Sequence, residues 1–180
     1  IVASIGSYFA TKRHIHEANH FNFEPIREVA ILFVGIFATM MPALAWLQSN
    51  AGQMGSVTPG FFYWGTGLLS GVLDNAPTYL SFLSASFGVF VTPEITAGVK
   101  ALIADNGASL ASVTGPNTET IKGAYAGLKE YFSVSGGEVT EAQIELAVLL
   151  GNANLSQYVV AISVAAVFFG ANTYIGNGPN

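Results

Sequence analysis

The stretch Leu73-Asp74-Asn75-Ala76-Pro77-Thr78 interrupts a long apolar run with a carboxylate, an amide and a proline. A second apolar run ends in a similar interruption, Gly176-Asn177-Gly178-Pro179-Asn180. In lipid, the backbone groups released by such a break find no water, so a break is tolerated only where it is buried in protein or lines a cavity. Two such breaks are typical of the discontinuous helices that form the binding site of a secondary transporter.

The composition of the chain is that of a membrane protein. It is 51% hydrophobic and only 9% charged, against about 25% charged residues in an average soluble domain. We therefore predict an all-α integral membrane protein with the lipid bilayer as its main partner. The net charge of −5 falls mostly after residue 93 and gives no case for a nucleic-acid partner. The absence of cysteine excludes disulfides, thiolate metal sites and a cysteine nucleophile.

Two membrane segments precede the first break. Residues 1–10 are apolar and are predicted to finish a transmembrane helix. The chain has no initiator Met and opens inside this apolar run, so we expect it to be a fragment of a longer protein. Residues 28–47 form a predicted transmembrane helix, since 20 residues match a hydrocarbon core of about 30 Å.

Residues 60–90 are too long for one straight crossing and are broken at their centre. The halves, 61–73 and 78–90, would each be a helix of about 20 Å at about 1.5 Å per residue, so neither crosses alone. This pattern predicts a re-entrant helical hairpin, and one long helix kinked at proline is the alternative. Small residues in the first half are expected to allow close helix packing. They are Gly65, Gly67 and Gly71.

The segment 91–157 is polar and acidic and is predicted to be an insertion made of short amphipathic helices. Thr140 and Gln143 have capping-box spacing, which predicts a helix running to Leu150 with Gly151 as its stop. Two sets of apolar residues recur at helical spacing. They are Ile95, Val99, Leu102 and Ile103, and then Ile121, Tyr125 and Leu128. The last segment, 158–180, is predicted as a transmembrane helix broken at 176–180.

Lysine and arginine counts predict the orientation. Lys12, Arg13 and Arg27 precede the helix at 28–47, whereas the loop at 48–59 has no basic residue. The helix should therefore run from the cytoplasm outward, with the hairpin entering from outside and the insertion extracytoplasmic. A single kinked helix would instead leave the lysines of the insertion inside. We expect the membrane to be the inner membrane of a bacterium.

Asp74 is the ionisable residue that lies deepest in the apolar segments. A carboxylate at membrane depth costs roughly 2.5–3.5 kcal/mol on insertion scales and usually faces a cavity. Burial raises the pKa of a carboxyl and a bound cation lowers it, so Asp74 could exchange a proton for Na⁺. The alternative, compatible with the first, is that its side chain caps the following helix.

Neutral groups complete the predicted site. Pro77 lacks an N–H and would leave upstream carbonyls free for a cation, while helix N-termini favour anions. The predicted ion- and substrate-binding residues are Ser70, Asp74, Asn75, Thr78, Thr173, Asn177, Gly178 and Asn180, with Pro77, Gly176 and Pro179 as helix breakers. Na⁺ or H⁺ is expected as a coupling ion, with no other cofactor. The cluster His14, His16, Glu17 and His20 is interpreted as a solvated loop rather than a metal site.

Three stretches resemble the ion transporter superfamily. They are 62–80 (FYWGTGLLSGVLDNAPTYL), 168–180 (FFGANTYIGNGPN) and 24–33 (EPIREVAILF). The superfamily includes citrate/metal–proton symporters, arsenite permeases, NhaD-type sodium/proton antiporters and dicarboxylate/sodium symporters. The chain looks most similar to the citrate transporter and NhaD-type antiporter branch. The resemblance covers 22–90 and 157–180 and leaves out 91–156.

The resemblance implies that residues 74–78 form the tip of an outer re-entrant hairpin, and that 176–180 form the unwound centre of the next helix. Together they would make one half-site of an inverted-repeat transporter, as its C-terminal repeat. The other half would lie upstream, and a homodimer is one expected assembly. The Ser-Asn-Thr tip of dicarboxylate transporters is replaced here by Asp74-Asn75-Ala76-Pro77-Thr78.

Because a carboxylate at the tip suits a cation, sodium/proton antiport by alternating access is the preferred hypothesis. Coupled transport of citrate or another anion is the alternative. A membrane-embedded hydrolase is a remote alternative, since two converging acids are needed and the apolar segments supply only Asp74. A non-catalytic scaffold would have little use for two broken helices. We therefore expect a transporter and no enzymatic activity.

Overall fold

The computed structural model describes residues 2–18, 23–55, 57–134 and 138–173, and within these ranges it is helical without a β-strand. The all-α prediction is confirmed. The α-helices are α1 (Val2–Ala10), α2 (Arg13–Ala18), α3 (Glu24–Asn50), α4 (Pro59–Ser70), α5 (Asn75–Phe90), α6 (Pro93–Ala104), α7 (Thr118–Phe132), α8 (Glu141–Leu150) and α9 (Ala153–Gly170). Short 3-10 helices occupy Ala51–Met54 and Leu110–Ser112.

The chain divides into two compact units, Ile1–Met41 and Pro42–Asn180. The boundary falls at Pro42, inside α3, and does not coincide with the predicted boundaries at 90 and 157. Within the first unit, aromatic rings make the clearest contacts, with Tyr8 5.4 Å from Phe9 and 5.4 Å from Phe23. The polar stretch predicted as a loop before residue 28 contains the helix α2.

Two helical stretches are long and apolar enough to cross a membrane, Glu24–Met54 and Ala153–Gly170. The pair formed by α5 and α6, bent by 89°, passes the same test if it counts as one broken span. The first stretch begins four residues before the predicted start at 28, because Pro25 is well suited to a first helical turn. None of the described residues of α3 is buried, as expected for an apolar helix that faces lipid.

The centre of the second unit is a helical hairpin made of α4 and α5. The break consists of residues 71–74. Contacts between the two helices join one residue before the break to one residue about equally far after it. Ser70 bonds to Asn75 beside the break, and farther away the Phe62 and Phe82 rings lie 6.0 Å apart. A Cβ added at Gly65 would lie 2.9 Å from the Phe82 ring. The two helices therefore run antiparallel, which a single kinked helix would not do.

Pro77 is not where the helix breaks, which corrects the prediction. It is the third residue of α5, and the break precedes it at residues 71–74. The first N–H groups of a helix have no partner within that helix, so a proline there removes nothing that was bonded. The helix interruption comes instead from the turn after Ser70, where the N–H of Leu73 donates to the Leu69 carbonyl at 2.7 Å.

Helix α9 lies alongside α4 and runs in the same direction. Tyr158 packs edge-on against Phe62, with ring centroids 5.4 Å apart, near the start of both helices. Farther along, a Cβ on Gly67 would sit 2.7 Å from the ring of Phe169. Gly67 thus permits the close packing expected from the sequence. Helix α9 ends at Gly170, and the predicted break at 176–180 lies outside the described residues.

The helices of the segment 91–157 do not stand apart from the hairpin. The predicted apolar faces of α6 and α7 pack with α8 into one core. Leu149 of α8 belongs to a second cluster that also contains Phe87 of α5 and Val159 of α9. This shared core explains why the compact unit includes both the hairpin and the polar segment.

The predicted capping box of α8 is confirmed. Thr140 Oγ1 accepts a hydrogen bond from the Gln143 N–H at 3.3 Å, and Gln143 Oε1 accepts one from the Thr140 N–H at 2.9 Å. Gly151 follows the helix as its C-cap, with its N–H on the Ala147 carbonyl. The box thereby pairs the backbone N–H groups of Thr140 and Gln143 at the start of α8.

We expect Thr140→Ala to lower the free energy of unfolding by about 1 kcal/mol, because it removes this cap. Chemical unfolding in detergent micelles, followed by circular dichroism, measures the change. Thr114→Ala is the matched control, since Thr114 is exposed outside any helix and should change little. Equal effects of the two substitutions would contradict the capping role.

Candidate functional site

The candidate site lies at the closed end of the hairpin, where α4 ends, α5 begins and the last turn of α9 arrives. Ser70 is the last residue of α4 and is completely buried. Its hydroxyl contacts two groups, the Asn75 side-chain oxygen and the Ala166 carbonyl of α9, the latter at 2.7 Å. This one side chain therefore connects all three helices at the break.

Asn75 is held between Ser70 and Gly170. It is the first residue of α5, and its side-chain oxygen bonds to the Ser70 hydroxyl. Any Cβ placed on Gly170 would overlap the Asn75 amide. Because glycine has no side chain, position 170 leaves room for the Asn75 amide to lie against α9.

Asp74 occupies the N-cap position of α5 in an extended backbone conformation, but its side chain makes no capping hydrogen bond. Its carbonyl instead accepts from the N–H and the hydroxyl of Thr78, at 3.3 and 3.0 Å. The predicted side-chain cap is therefore absent, and the Asp74 carboxylate is left partly exposed at the break. The buried Thr78 hydroxyl thus has its hydrogen-bond partner in the backbone of the first turn of α5.

Thr173 brings the end of α9 onto the same break. Its hydroxyl donates to the Gly71 carbonyl at 2.7 Å, which satisfies an acceptor at the end of α4. The structure thus gathers Ser70, Asp74, Asn75 and Thr173 around one turn, with Thr78 one turn into α5. The other predicted site residues lie outside the described residues. They are Gly176, Asn177, Gly178, Pro179 and Asn180.

A comparison with protein families matches residues 1–180 to a family described as "Putative citrate transport". The chain belongs to this family. Its membership and its apolar helices identify the chain as a membrane transport protein and not an enzyme. The family match includes residues 91–156, which the resemblance seen in the sequence left out. No curated protein matches the chain, and no solved structure does.

The family match confirms the coarse part of the sequence interpretation, a citrate-transporter-like membrane protein. It does not single out an NhaD-type antiporter branch. Two forms of transport were predicted from the sequence. Transport of citrate or another anion fits the family description better than sodium/proton antiport does. The assignment of individual residues to binding stays a prediction.

Sequence reasoning missed Thr66, which lies one helical turn before Ser70 on the same face of α4. Thr66 is completely buried, and among the described residues its hydroxyl has no hydrogen-bond partner. A buried hydroxyl without a partner costs about 1–3 kcal/mol. The four-residue spacing of Thr66 and Ser70 was the signal that could have found it, since both side chains then face the same neighbours.

The histidine cluster forms no metal site in the part of the chain that is described. Arg13 pairs with Glu17 across one turn of α2, at 3.1 Å with both side chains largely exposed. No set of three or more His, Asp or Glu side chains comes together within the described ranges. His20 and the side chain of His16 lie outside them.

We expect Gly170→Ala to impair transport by this citrate-transport family member by about tenfold, because the new methyl group displaces the Asn75 amide from its place at the break. Initial uptake rates in proteoliposomes provide the measurement. Gly35→Ala is the control, since among the described residues nothing beyond the neighbouring backbone of its own helix lies within 4 Å of the methyl group it would add. Full activity of Gly170→Ala would show that the position of Asn75 is unimportant.

Thr66→Val should leave stability unchanged or raise it, because it replaces an unpartnered buried hydroxyl by a methyl group. Thr78→Val, at an equally buried position, should cost about 1 kcal/mol, because that hydroxyl is bonded to the Asp74 carbonyl. Thermal unfolding in detergent, monitored by tryptophan fluorescence, compares the two variants. A larger loss for Thr66→Val would contradict the burial of an unpaired hydroxyl.

Proposed function

We propose that the chain forms one half of the substrate pathway of a secondary transporter that carries citrate or a related carboxylate by alternating access. The observation that carries this proposal is the meeting of three helix ends at one polar break, in a chain that matches a citrate transport family throughout. The Ser70 hydroxyl links α4, α5 and α9 there. Polar broken helices in an apolar protein are where secondary transporters bind substrate.

The start of α5 supplies the chemistry for an anion. A helix N-terminus carries a partial positive charge and N–H groups without partners inside the helix. Helix α5 begins at Asn75 and has 16 residues, which is long enough for its dipole to be well developed. The Asn75 amide lies beside these N–H groups and can donate to a carboxylate. A carboxylate of the substrate would bind there.

Asp74 would hold the coupling cation. Citrate brings several negative charges into a region of low dielectric, where an unpaired charge is expensive. A proton or Na⁺ on the uncapped Asp74 carboxylate would offset part of that charge beside the substrate. We further propose the bacterial inner membrane as the location. The matching half-site would come from an upstream inverted repeat, in a homodimer.

Sodium/proton antiport remains a second candidate, favoured by one observation. The Asp74 side chain makes no capping hydrogen bond, so its carboxylate needs another partner at the break. An aspartate in that position can alternate between a proton and Na⁺, which is the exchange that an antiporter needs. In this case the break would bind only cations.

The test is uptake of labelled citrate into proteoliposomes with an imposed H⁺ or Na⁺ gradient, with internal pH followed by a dye. We expect gradient-driven citrate uptake that falls by about tenfold in Asp74→Asn, since the variant cannot bind the coupling ion. Glu130→Gln removes an equal charge from an exposed position on α7 and is the control.

The possible results separate the two functions. Proton movement driven by Na⁺, without citrate uptake and lost in Asp74→Asn, would replace citrate transport by antiport. Citrate uptake that is unchanged in Asp74→Asn would remove Asp74 from the coupling mechanism. Absence of both citrate and cation flux would contradict both forms of the proposal.

A further inference from the structure

Away from the break, a second polar contact joins distant parts of the chain. Gln48, near the end of α3, donates through its side-chain nitrogen to a carboxylate oxygen of Glu145 on α8, across 97 residues. Both residues belong to the second compact unit. The contact connects the end of a candidate membrane span with the helices of the polar segment.

The same end of α3 packs on the open end of the hairpin. A Cβ added at Gly88, near the end of α5, would collide with the Gln48 carbonyl oxygen. Gly52, in the 3-10 helix that follows α3, also lies close to Gly88, with 3.7 Å from its added Cβ to the Gly88 carbonyl oxygen. Gln48 therefore touches α5 through its backbone and α8 through its side chain, at the end of the hairpin opposite the candidate site.

The Gln48–Glu145 contact borders a cavity of about 380 Å³ that lies between the end of α3, α6 and α8. This volume is large enough for several water molecules. The lining of the cavity is mixed. Besides Glu145, its charged residues are Glu141 from α8 and Lys100 from α6, and it includes the polar Thr96. Protons can thus reach the Glu145 carboxylate through water.

Burial raises the pKa of Glu145 above its ordinary value. The hydrogen bond from Gln48 acts in the opposite direction and lowers it, and the charge of Glu141 one turn away raises it again. Because the pKa is raised in the packed structure, a proton binds more tightly when Glu145 is in its contact than when α8 has moved away. Acid therefore favours the closed contact, and stabilisation is lost as the pH rises through the raised pKa.

We propose that Gln48 and Glu145 form a pH-sensitive latch that holds α8 to the open end of the hairpin and loosens when Glu145 loses its proton. A protonated Glu145 can donate to the Gln48 side-chain oxygen while it accepts from the side-chain nitrogen, without a buried charge. An ionised Glu145 still accepts the hydrogen bond from Gln48, which favours the charge, but its partial desolvation and the repulsion from Glu141 together outweigh that bond.

The consequence for transport rests on the proposed function. A closed latch restrains the open end of the hairpin, and an open latch frees α5 to move relative to α8. If the hairpin carries the substrate site, the rate of transport would depend on pH through Glu145, in addition to any proton that is coupled at Asp74. The latch itself can be tested without any transport assay.

Hydrogen–deuterium exchange of the full-length protein, reconstituted in lipid nanodiscs, tests the latch. Exchange is measured between about pH 5 and about pH 8 and corrected for the intrinsic pH dependence of amide exchange. We expect protection of α8 and of residues 42–54 to fall by about threefold as the pH rises. Protection in Glu145→Gln should stay high at every pH, since the amide resembles the protonated acid.

Two further variants complete the design. Glu141→Gln keeps the latch and should retain the pH dependence, with its midpoint moved to lower pH because a repelling charge is gone. Gln48→Leu removes the donor and should reduce protection at low pH. It also keeps the proposal testable if Glu145→Gln does not fold.

The proposal is overturned if wild-type protection does not change with pH, or if Glu145→Gln shows the wild-type pH dependence. Failure of the latch is distinct from failure of the proposed function. A pH-dependent latch in a protein that moves neither citrate nor cations would leave the latch standing and remove the transport hypothesis. Citrate uptake with pH-independent exchange would do the reverse.

Discussion

A break in an apolar helix must find partners for its polar groups inside the protein, and Ser70 is where this chain meets that requirement. Its hydroxyl contacts the Asn75 side chain across the break and the Ala166 carbonyl on α9. Thr173 adds a bond to the Gly71 carbonyl. Without the end of α9, the Gly71 carbonyl would lose this partner, and an unsatisfied backbone group in lipid costs several kcal/mol.

Small residues make that third helix possible. Gly67 lets the ring of Phe169 lie against the backbone of α4, and Gly170 leaves room for the Asn75 amide. Association of apolar helices in lipid depends on such close packing, because no hydrophobic force distinguishes a neighbouring helix from a lipid chain. The geometry of the candidate site thus depends on glycines that carry no chemistry of their own.

The polar segment is joined to the hairpin at its other end. Leu149 of α8 packs with Phe87 of α5, and the Gln48–Glu145 contact lies nearby. A segment whose charges suggest an independent insertion therefore shares a core with the membrane helices. The family match over the whole chain agrees with this arrangement, since it includes that segment together with the broken helices.

The sequence by itself determined the local features of this protein. The capping box at Thr140 and Gln143, the apolar faces of α6 and α7 and the presence of a break near the centre of residues 60–90 depend on neighbouring residues, and patterns over a few turns predict them. Helix boundaries do not follow from such patterns alone, as Pro77 shows, because a proline is tolerated in a first helical turn as well as at a break.

Only the tertiary structure decided which distant groups meet. The bond from Ser70 to Ala166 joins residues 96 apart, and the bond from Gln48 to Glu145 joins residues 97 apart. That the Thr66 hydroxyl is buried and finds no partner among the described residues is likewise a property of its tertiary surroundings. Local pattern fixes which face of a helix is apolar or polar, whereas the identity of a partner depends on how the helices pack, and packing is set by contacts along the whole chain.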